Sequence, residues 1–265
     1  MVDLASTALA AASAAAVILA RGTTGELDVE TKSSATDMVS NVDLAAEAAV
    51  AEVLAAHRPD DGLLGEEGTT TPGTTGVRWV VDPLDGTTNF LFGLPQFAVS
   101  VAAEVDGETA VGIVIQPPRS EIWAAAKGWG ARCNGRPCSV ASGRSSLETA
   151  LVATGFGYQA KRREWQARVL AQVLPRVRDV RRFGAAALDL CWVGGGRFDA
   201  YYEWGLNPWD LAAGQLICRE AGGRSEVLEG RIIVASVPEL FDPLCELLAE
   251  AGALEPPPGT EPTMW

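Results

Sequence analysis

Val77 to Val81, a short apolar run, leads straight into Asp82-Pro83-Leu84-Asp85-Gly86-Thr87-Thr88-Asn89-Phe90. The run predicts a buried strand, so the chain must place other layers of structure against it. Pro83 has no N–H and a fixed φ, which predicts that the chain leaves the strand sharply there. Asp82 and Asp85 can then converge on one point. Gly86 permits a tight turn, and Thr87 and Thr88 can open a helix. A helix start beside two aspartates looks contradictory, because its free N–H groups favour anions. Cations on the aspartates, with a phosphate between them and the helix start, resolve the contradiction. Taken alone, the segment is also an ordinary Asp-Pro-x-Asp-Gly surface turn.

With 265 residues the chain can form one large domain or two closely joined ones. Asp plus Glu number 34 and Lys plus Arg 21, a net charge of −13. Such a chain is a poor general binder of nucleic acid, which is held largely through Lys and Arg at phosphates. His57 is the single histidine, which excludes mechanisms that need two and any His-rich zinc site. The five cysteines are widely spaced and include no C-x-x-C, which argues against a disulfide framework or structural zinc. Leu4 to Ala20 is apolar and Ala-rich, but Asp3 rather than Lys or Arg precedes it, so a buried or amphipathic helix is expected rather than a signal peptide. No other stretch reaches the roughly 20 apolar residues of a membrane span. A soluble cytoplasmic protein with no membrane contact is expected.

Helices are expected over 4–20, 43–56, 162–174 and 210–221. Thr69 to Gly76 reads as a loop. Phe97 to Glu104, Thr109 to Gln116 and Glu121 to Ala126 read as consecutive strands, with turns at Asp106-Gly107 and Pro117-Pro118. Val180 to Arg182 and Ala200 to Glu203 read as further strands. The mixture predicts layered α and β structure. The tail from Glu255, rich in proline, is expected to fray.

Two more acidic elements stand out. Gly65-Glu66-Glu67-Gly68 follows the apolar pair Leu63-Leu64 and resembles another strand end, although a solvated pair of glutamates reads the same way. Asn207-Pro208-Trp209-Asp210 opens a helix rich in small residues that stops at Gly222-Gly223. Asp210 is there either as a simple N-terminal helix charge or as a ligand. Ala212, Ala213 and Gly214 would let this helix pack closely on a neighbour.

Together, GEE, DPLDGTTNF and WDLAAGQLICREAGG resemble the signatures of the inositol monophosphatase family of metal-dependent, lithium-sensitive phosphatases, in the right order and at suitable distances. The likeness runs from Lys32-Ser33-Ser34 through Ala221. It implies a sandwich of alternating α-β-α-β-α layers, of the inositol monophosphatase and fructose bisphosphatase type. Residues 1–145 would form an N-terminal α+β half with most metal ligands, and 146–254 a C-terminal α/β half, before a frayed 255–265. It also implies a homodimer. Two or three Mg²⁺ ions are implied on Glu66, Asp82, Asp85, Asp210 and the Leu84 carbonyl, a hard oxygen donor set that suits magnesium. The same resemblance places the substrate phosphate at the Gly86 and Thr87 amides, next to the metal-bearing Asp85 and Asp210. It pairs Thr87 with Asp43 to orient the attacking water, alongside Glu66; Asp43 can equally be an N-terminal residue of the helix that follows. Lys32 and Asp37 belong to the same upstream pattern.

The reaction implied is direct attack of water on a small phosphate monoester. Asp82 and Asp85 lack the Asp-x-Asp spacing expected of an aspartyl nucleophile. Glu203 matches the family's glutamate for inositol hydroxyls, a task suited to a charge-assisted acceptor, and otherwise reads as a surface strand residue. Gly184-Ala185-Ala186 matches a segment that lines the pocket, and Ala185 replaces a Ser or Thr often found there. Inositol 1-phosphate is therefore the leading substrate, with histidinol phosphate, fructose 1,6-bisphosphate and 3′-phosphoadenosine 5′-phosphate as alternatives. A non-enzymatic partner protein on the same fold is the reading from a different class. Arg224 to Ile232 is expected to replace a longer loop and hairpin of the family.

Overall fold

The protein is described by a computed structural model covering residues 1–22, 28–31, 38–141, 143 and 145–255. The expectations for Lys32, Asp37 and the proline tail fall outside the described residues. The first helix, α1 (Val2–Gly22), buries Leu4, Ala8, Ala11, Ala12, Ala15 and Leu19 on one stripe at helical spacing. That stripe packs on α2 (Asn41–His57) and on a large sheet. By length and composition α1 would also pass for a membrane span. Between the two helices, β1 (Val29–Thr31) and β2 (Met38–Ser40) pair antiparallel.

The large sheet comprises β3 (Gly62–Gly65), β4 (Thr70–Thr71), β5 (Val77–Asp85), β6 (Ala98–Val105), β7 (Glu108–Gln116), β8 (Glu121–Ala126), β9 (Ala131–Cys133) and β10 (Arg136–Pro137). Their order is β10-β9-β8-β7-β6-β5-β3-β4, and only β3 and β5 run parallel. Its entry point is anchored by Asp61, which accepts from Arg58 Nε (2.8 Å), Thr75 Oγ1 (2.6 Å) and the buried Trp79 Nε1 (3.0 Å). Burial pushes the Asp61 carboxyl up, but these donors outweigh it and hold the group below the usual carboxylate range.

After α3 (Thr87–Leu91), α4 (Ala160–Val173), α5 (Ala186–Gly194), α6 (Pro208–Glu220) and α7 (Pro238–Glu250) complete the helices. A second sheet has the order β12-β11-β13-β15-β14, from β11 (Leu151–Thr154), β12 (Asp179–Arg181), β13 (Ala200–Trp204), β14 (Arg224–Leu228) and β15 (Ile232–Ser236). Three apolar cores separate five layers: α1 and α2, the large sheet, α5 and α6, the second sheet, and α4 with α7. The small residues of α6 act as expected. A Cβ on Gly214 would come within 2.8 Å of the Leu190 Cβ, so α6 lies tight against α5.

Several sequence expectations need correction. The chain does not leave β5 at Pro83; the strand continues to Asp85 across an irregularity. The loop after Thr69 contains the short β4. Arg224 to Ile232 itself holds β14 and the turn through Glu229 and Gly230, both with positive φ, that leads back into β15. The elements β11, α5, β15 and α7 went unread: β11 and β15 are short, α5 is nearly all apolar, and α7, although Leu240, Phe241, Leu244, Leu247 and Leu248 recur at helical spacing, carries Pro243 inside it, which reads as a breaker.

Candidate active site

The register of β5 explains how two aspartates three residues apart serve one site. Asp82 faces Ser100 and Asp85 faces Ala98, so three steps on β5 match two on β6. One extra residue is accommodated at Pro83-Leu84, which is a bulge. In a regular strand residues i and i+3 point to opposite faces. The bulge cancels that, and both carboxylates line the same cavity of about 500 Å³. Pro83 has no N–H to lose from the ladder, which suits it to the bulge.

Glu66 arrives from the neighbouring strand. β3 runs parallel to β5 with Gly65 opposite Val81, and Glu66 N donates to Val81 O (3.1 Å). The turn after it is held by the buried Glu47 of α2, whose carboxylate accepts from Glu67 N (2.8 Å) and Thr69 N (2.9 Å). Asp210 comes from the first turn of α6, where its Oδ2 accepts from Asn207 N (2.6 Å). Ser100 Oγ donates to Trp209 O (3.2 Å) and ties that helix start to β6.

The remainder of the DGTTNF segment has structural reasons as well. Gly86 sits at φ 94°, and a Cβ there would approach Gln96 O at 2.9 Å and Gly184 O at 3.3 Å. Only glycine meets both conditions at low cost. Asn89 Nδ2 donates to Gln96 O and Phe183 O, both at 2.7 Å, and locks α3 to the loop before α5. Phe90 packs edge-on to Phe97 with centroids 5.0 Å apart. Asp85 then reaches across to α5, accepting from Ala186 N (3.1 Å) and Ala187 N (2.8 Å) at that helix's first turn.

Thr87 Oγ1 stands 3.0 Å from Asp43 Oδ1 and 3.1 Å from Leu84 O, and its single proton can serve either. The other oxygen of Asp43 accepts from Ser40 N (2.9 Å) and from the Ser40 hydroxyl, closing a capping box at the start of α2. Asp43 is therefore both things its sequence position allowed, a helix-cap residue and a partner of Thr87.

Electrostatically the cavity is under strain. Glu66, Asp82, Asp85, Asp210 and Glu203 all line it. Burial first, then the charges of Glu66, Asp85 and Asp210, push the Asp82 carboxyl far up, and hydrogen bonding with Glu66 adds to this. Asp210 is raised by burial and by Glu66. Burial raises Asp85 to about 7, although the two α5 amides pull the other way. Glu203, on β13, is raised by burial while its Oε2 accepts from Tyr201 Oη (2.7 Å). A shared proton and a bound cation relieve the same repulsion. As they stand, no three acidic groups among the described residues gather closely enough to enclose an ion. Magnesium does not need such a cage, because it usually takes one or two carboxylates and completes its shell with waters and substrate phosphate. The all-oxygen donor set fits it.

Gly86, Thr87, Leu84 and Ala186 also line the cavity, whereas Ala185 is buried behind it and is not among the lining residues. The lost hydroxyl at Ala185 therefore concerns packing near the α5 start more than the cavity wall. Sequence reasoning passed over Glu47, Tyr201, Arg162 and Arg182. Glu47, Arg162 and Arg182 act through partners far away in the chain, with no local pattern to mark them, whereas Tyr201 meets Glu203 two residues on, at the i, i+2 spacing that puts both on one face of β13.

Five alternating layers, with an acidic cavity at the ends of β3 and β5, correspond to the layered phosphatase class that the motifs resemble. The comparisons with known proteins agree. Residues 1–252 match the Inositol monophosphatase family. The chain is 45% identical over 255 residues to the inositol-1-monophosphatase SuhB of Mycobacterium tuberculosis (strain ATCC 25618 / H37Rv), covering 91% of this chain and 88% of that protein. It is 42% identical over 219 residues to the Nus factor SuhB of Pasteurella multocida (strain Pm70), covering 82% of each. The crystal structure of the extragenic suppressor protein suhB from Bartonella henselae superposes with a TM-score of 0.87 at 38% identity, over 92% of this chain and 97% of that one. The chain belongs to the inositol monophosphatase family, and it is a phosphatase.

Proposed function

We propose that the protein hydrolyses inositol 1-phosphate to inositol and phosphate, using two or three magnesium ions held by Glu66, Asp82, Asp85, Asp210 and the Leu84 carbonyl. The observation that carries this reading is the cavity lined by five carboxyl groups, four of them raised by burial, and Asp82, Asp85 and Asp210 by mutual repulsion as well. Such a cavity repels a phosphate unless hard cations invert its sign. Magnesium, when bound, supplies the charge that acidifies water and steadies the departing alkoxide.

The chain's own residues do the positioning. Asp43 holds the Thr87 hydroxyl so that the Thr87 oxygen can accept from a water and aim it at phosphorus. Gly86 and Thr87 form the floor against which the phosphate rests. Asp85 is fixed by the α5 amides, so its geometry does not change with substrate. On the alcohol side Glu203, held by Tyr201, accepts hydrogen bonds from ring hydroxyls. Preset geometry of this kind lowers the entropic cost of bringing water and phosphate together.

A panel of inositol 1-phosphate, histidinol phosphate, fructose 1,6-bisphosphate and 3′-phosphoadenosine 5′-phosphate tests the substrate side. Inositol 1-phosphate should give the highest kcat/KM among the monophosphates. Glu203→Gln should raise its KM by about 10-fold or more, since a charge-assisted hydrogen bond is worth about 1.5–3 kcal/mol, and should change kcat less. An unaltered KM in that variant would remove Glu203 from substrate recognition.

A further inference from the structure

The chain leaves β11 at Thr154 and crosses to α4 through Gly155-Phe156-Gly157-Tyr158-Gln159. Phe156 to Gln159, and then Arg162 on α4, line the same cavity as Glu203. β11 runs parallel to β13 with Thr154 opposite Tyr202, so one step further brings Gly155 beside Glu203. A Cβ on Gly155 would fall 1.8 Å from Glu203 Oε2 and 2.0 Å from the carboxyl carbon. The carboxylate therefore occupies the space that a side chain at position 155 would need. Gly155 is not among the glycines with positive φ, so the backbone alone does not call for glycine here. What this glycine supplies is room.

The seat is held from both sides. Tyr201 Oη donates to Glu203 Oε2 (2.7 Å) along β13. On the loop side stands the buried Gln166 of α4, whose Oε1 accepts from Gly157 N (2.9 Å) while its Nε2 donates to Gly155 O (3.4 Å). One amide thus clasps both ends of Gly155-Phe156-Gly157, and opening the loop would leave its buried polar groups unpaired. The atoms that a Cβ on Gly155 would meet are the far end of a flexible side chain. An alanine can be accommodated by turning the Glu203 carboxylate to another rotamer, off its seat and toward the cavity that it lines.

We propose that Gly155 is a specificity-determining residue: its missing side chain seats the Glu203 carboxylate against the loop between β11 and α4, where it meets the hydroxyls of a ring alcohol, and Gln166 is the positioning residue that keeps the loop closed on it. The inference rests on the reading of Glu203 as the acceptor for the substrate alcohol.

Steady-state kinetics on inositol 1-phosphate with Mg²⁺ test it, using wild type, Gly155→Ala, Glu203→Gln, their double variant and Gln166→Met. Gly155→Ala should raise KM by about 10-fold or more and change kcat by less than about threefold, the pattern of a lost charge-assisted contact that the reacting atoms do not share. In the double variant KM should be little higher than in the worse single one, because both changes remove the same contact. Gln166→Met keeps the volume, adds no atom to the cavity and gives up both hydrogen bonds; it should raise KM by roughly 3- to 10-fold. Glu203→Gln with a raised KM, beside Gly155→Ala and Gln166→Met within about twofold of wild type, would overturn this inference alone. So would effects of Gly155→Ala and Glu203→Gln that multiply, since Gly155 would then act on something other than Glu203. An unaltered KM in all three single variants removes Glu203 from recognition and this inference with it. No phosphate release by the wild-type protein overturns the phosphatase reading itself.

Discussion

If Asp85 holds magnesium as proposed, Asp85→Asn should lower kcat on inositol 1-phosphate by about 10³-fold or more, since losing a metal ligand removes several kcal/mol of charge stabilisation. The same change should raise the melting temperature of the magnesium-free protein. An asparagine oxygen can still accept from Ala187 N, so the link to α5 survives in part. What disappears is a carboxyl held at about 7 by burial among other acids. The sign follows from that shift. Between the ordinary carboxylate range and about 7 the folded protein binds a proton that the unfolded chain releases, so stability falls as pH rises through this window. Asparagine does not titrate, and the advantage of the variant should therefore grow with pH up to about 7 and then level off. Melting curves without magnesium across pH 5 to 8 check it. Lower stability at every pH would mean that Asp85 is a structural residue rather than a strained functional one.

The second large effect concerns Thr87. Thr87→Ala should lower kcat by about 10²- to 10⁴-fold, the range lost with a proton-handling group, and Thr87→Ser should retain much of the activity. Asp43→Asn tests the partner without opening the helix cap, because an amide oxygen can still accept from Ser40 N. If the two act as a unit, the double variant should be little worse than the worse single one. Multiplying effects would mean that Thr87 and Asp43 work separately, with Asp43 confined to the capping box of α2.

The acidic constellation was legible in the sequence, because each carboxylate sits at the end of an element with its own punctuation: Leu63-Leu64 before Glu66, Val80-Val81 before Asp82, Pro208 before Asp210. What could not be read was how residues at odd spacing come to face one way. Proline suggested an abrupt exit from β5, and the structure instead keeps the strand and inserts a bulge, which turns Asp85 to the side of Asp82. Asp43 illustrates another limit. Helix cap and Thr87 partner require the same residue at the same helix position, so sequence offers a choice where the structure shows two oxygens with two different hydrogen-bond partners. Glu47, Arg162 and Arg182 were invisible for a plainer reason. Their meaning depends on what lies opposite after folding: a glutamate turn for the first, and an acidic cavity for the other two.

The five layers followed from the resemblance more than from periodicity. The apolar α5 and the short β11 offer no period to read; α5 becomes recognisable only when packed between the two sheets, and β11 only when paired between β12 and β13. The α1 stripe, by contrast, was visible from its alanines and leucines alone.

The most direct test of the acidic cavity as a magnesium site is phosphate release from inositol 1-phosphate by the wild-type protein, first after removal of divalent ions with a chelator and then as Mg²⁺ is added back. Release should be absent without the ion and should rise to saturation with it. Equal release under both conditions would contradict the assignment of Glu66, Asp82, Asp85 and Asp210 to the metal.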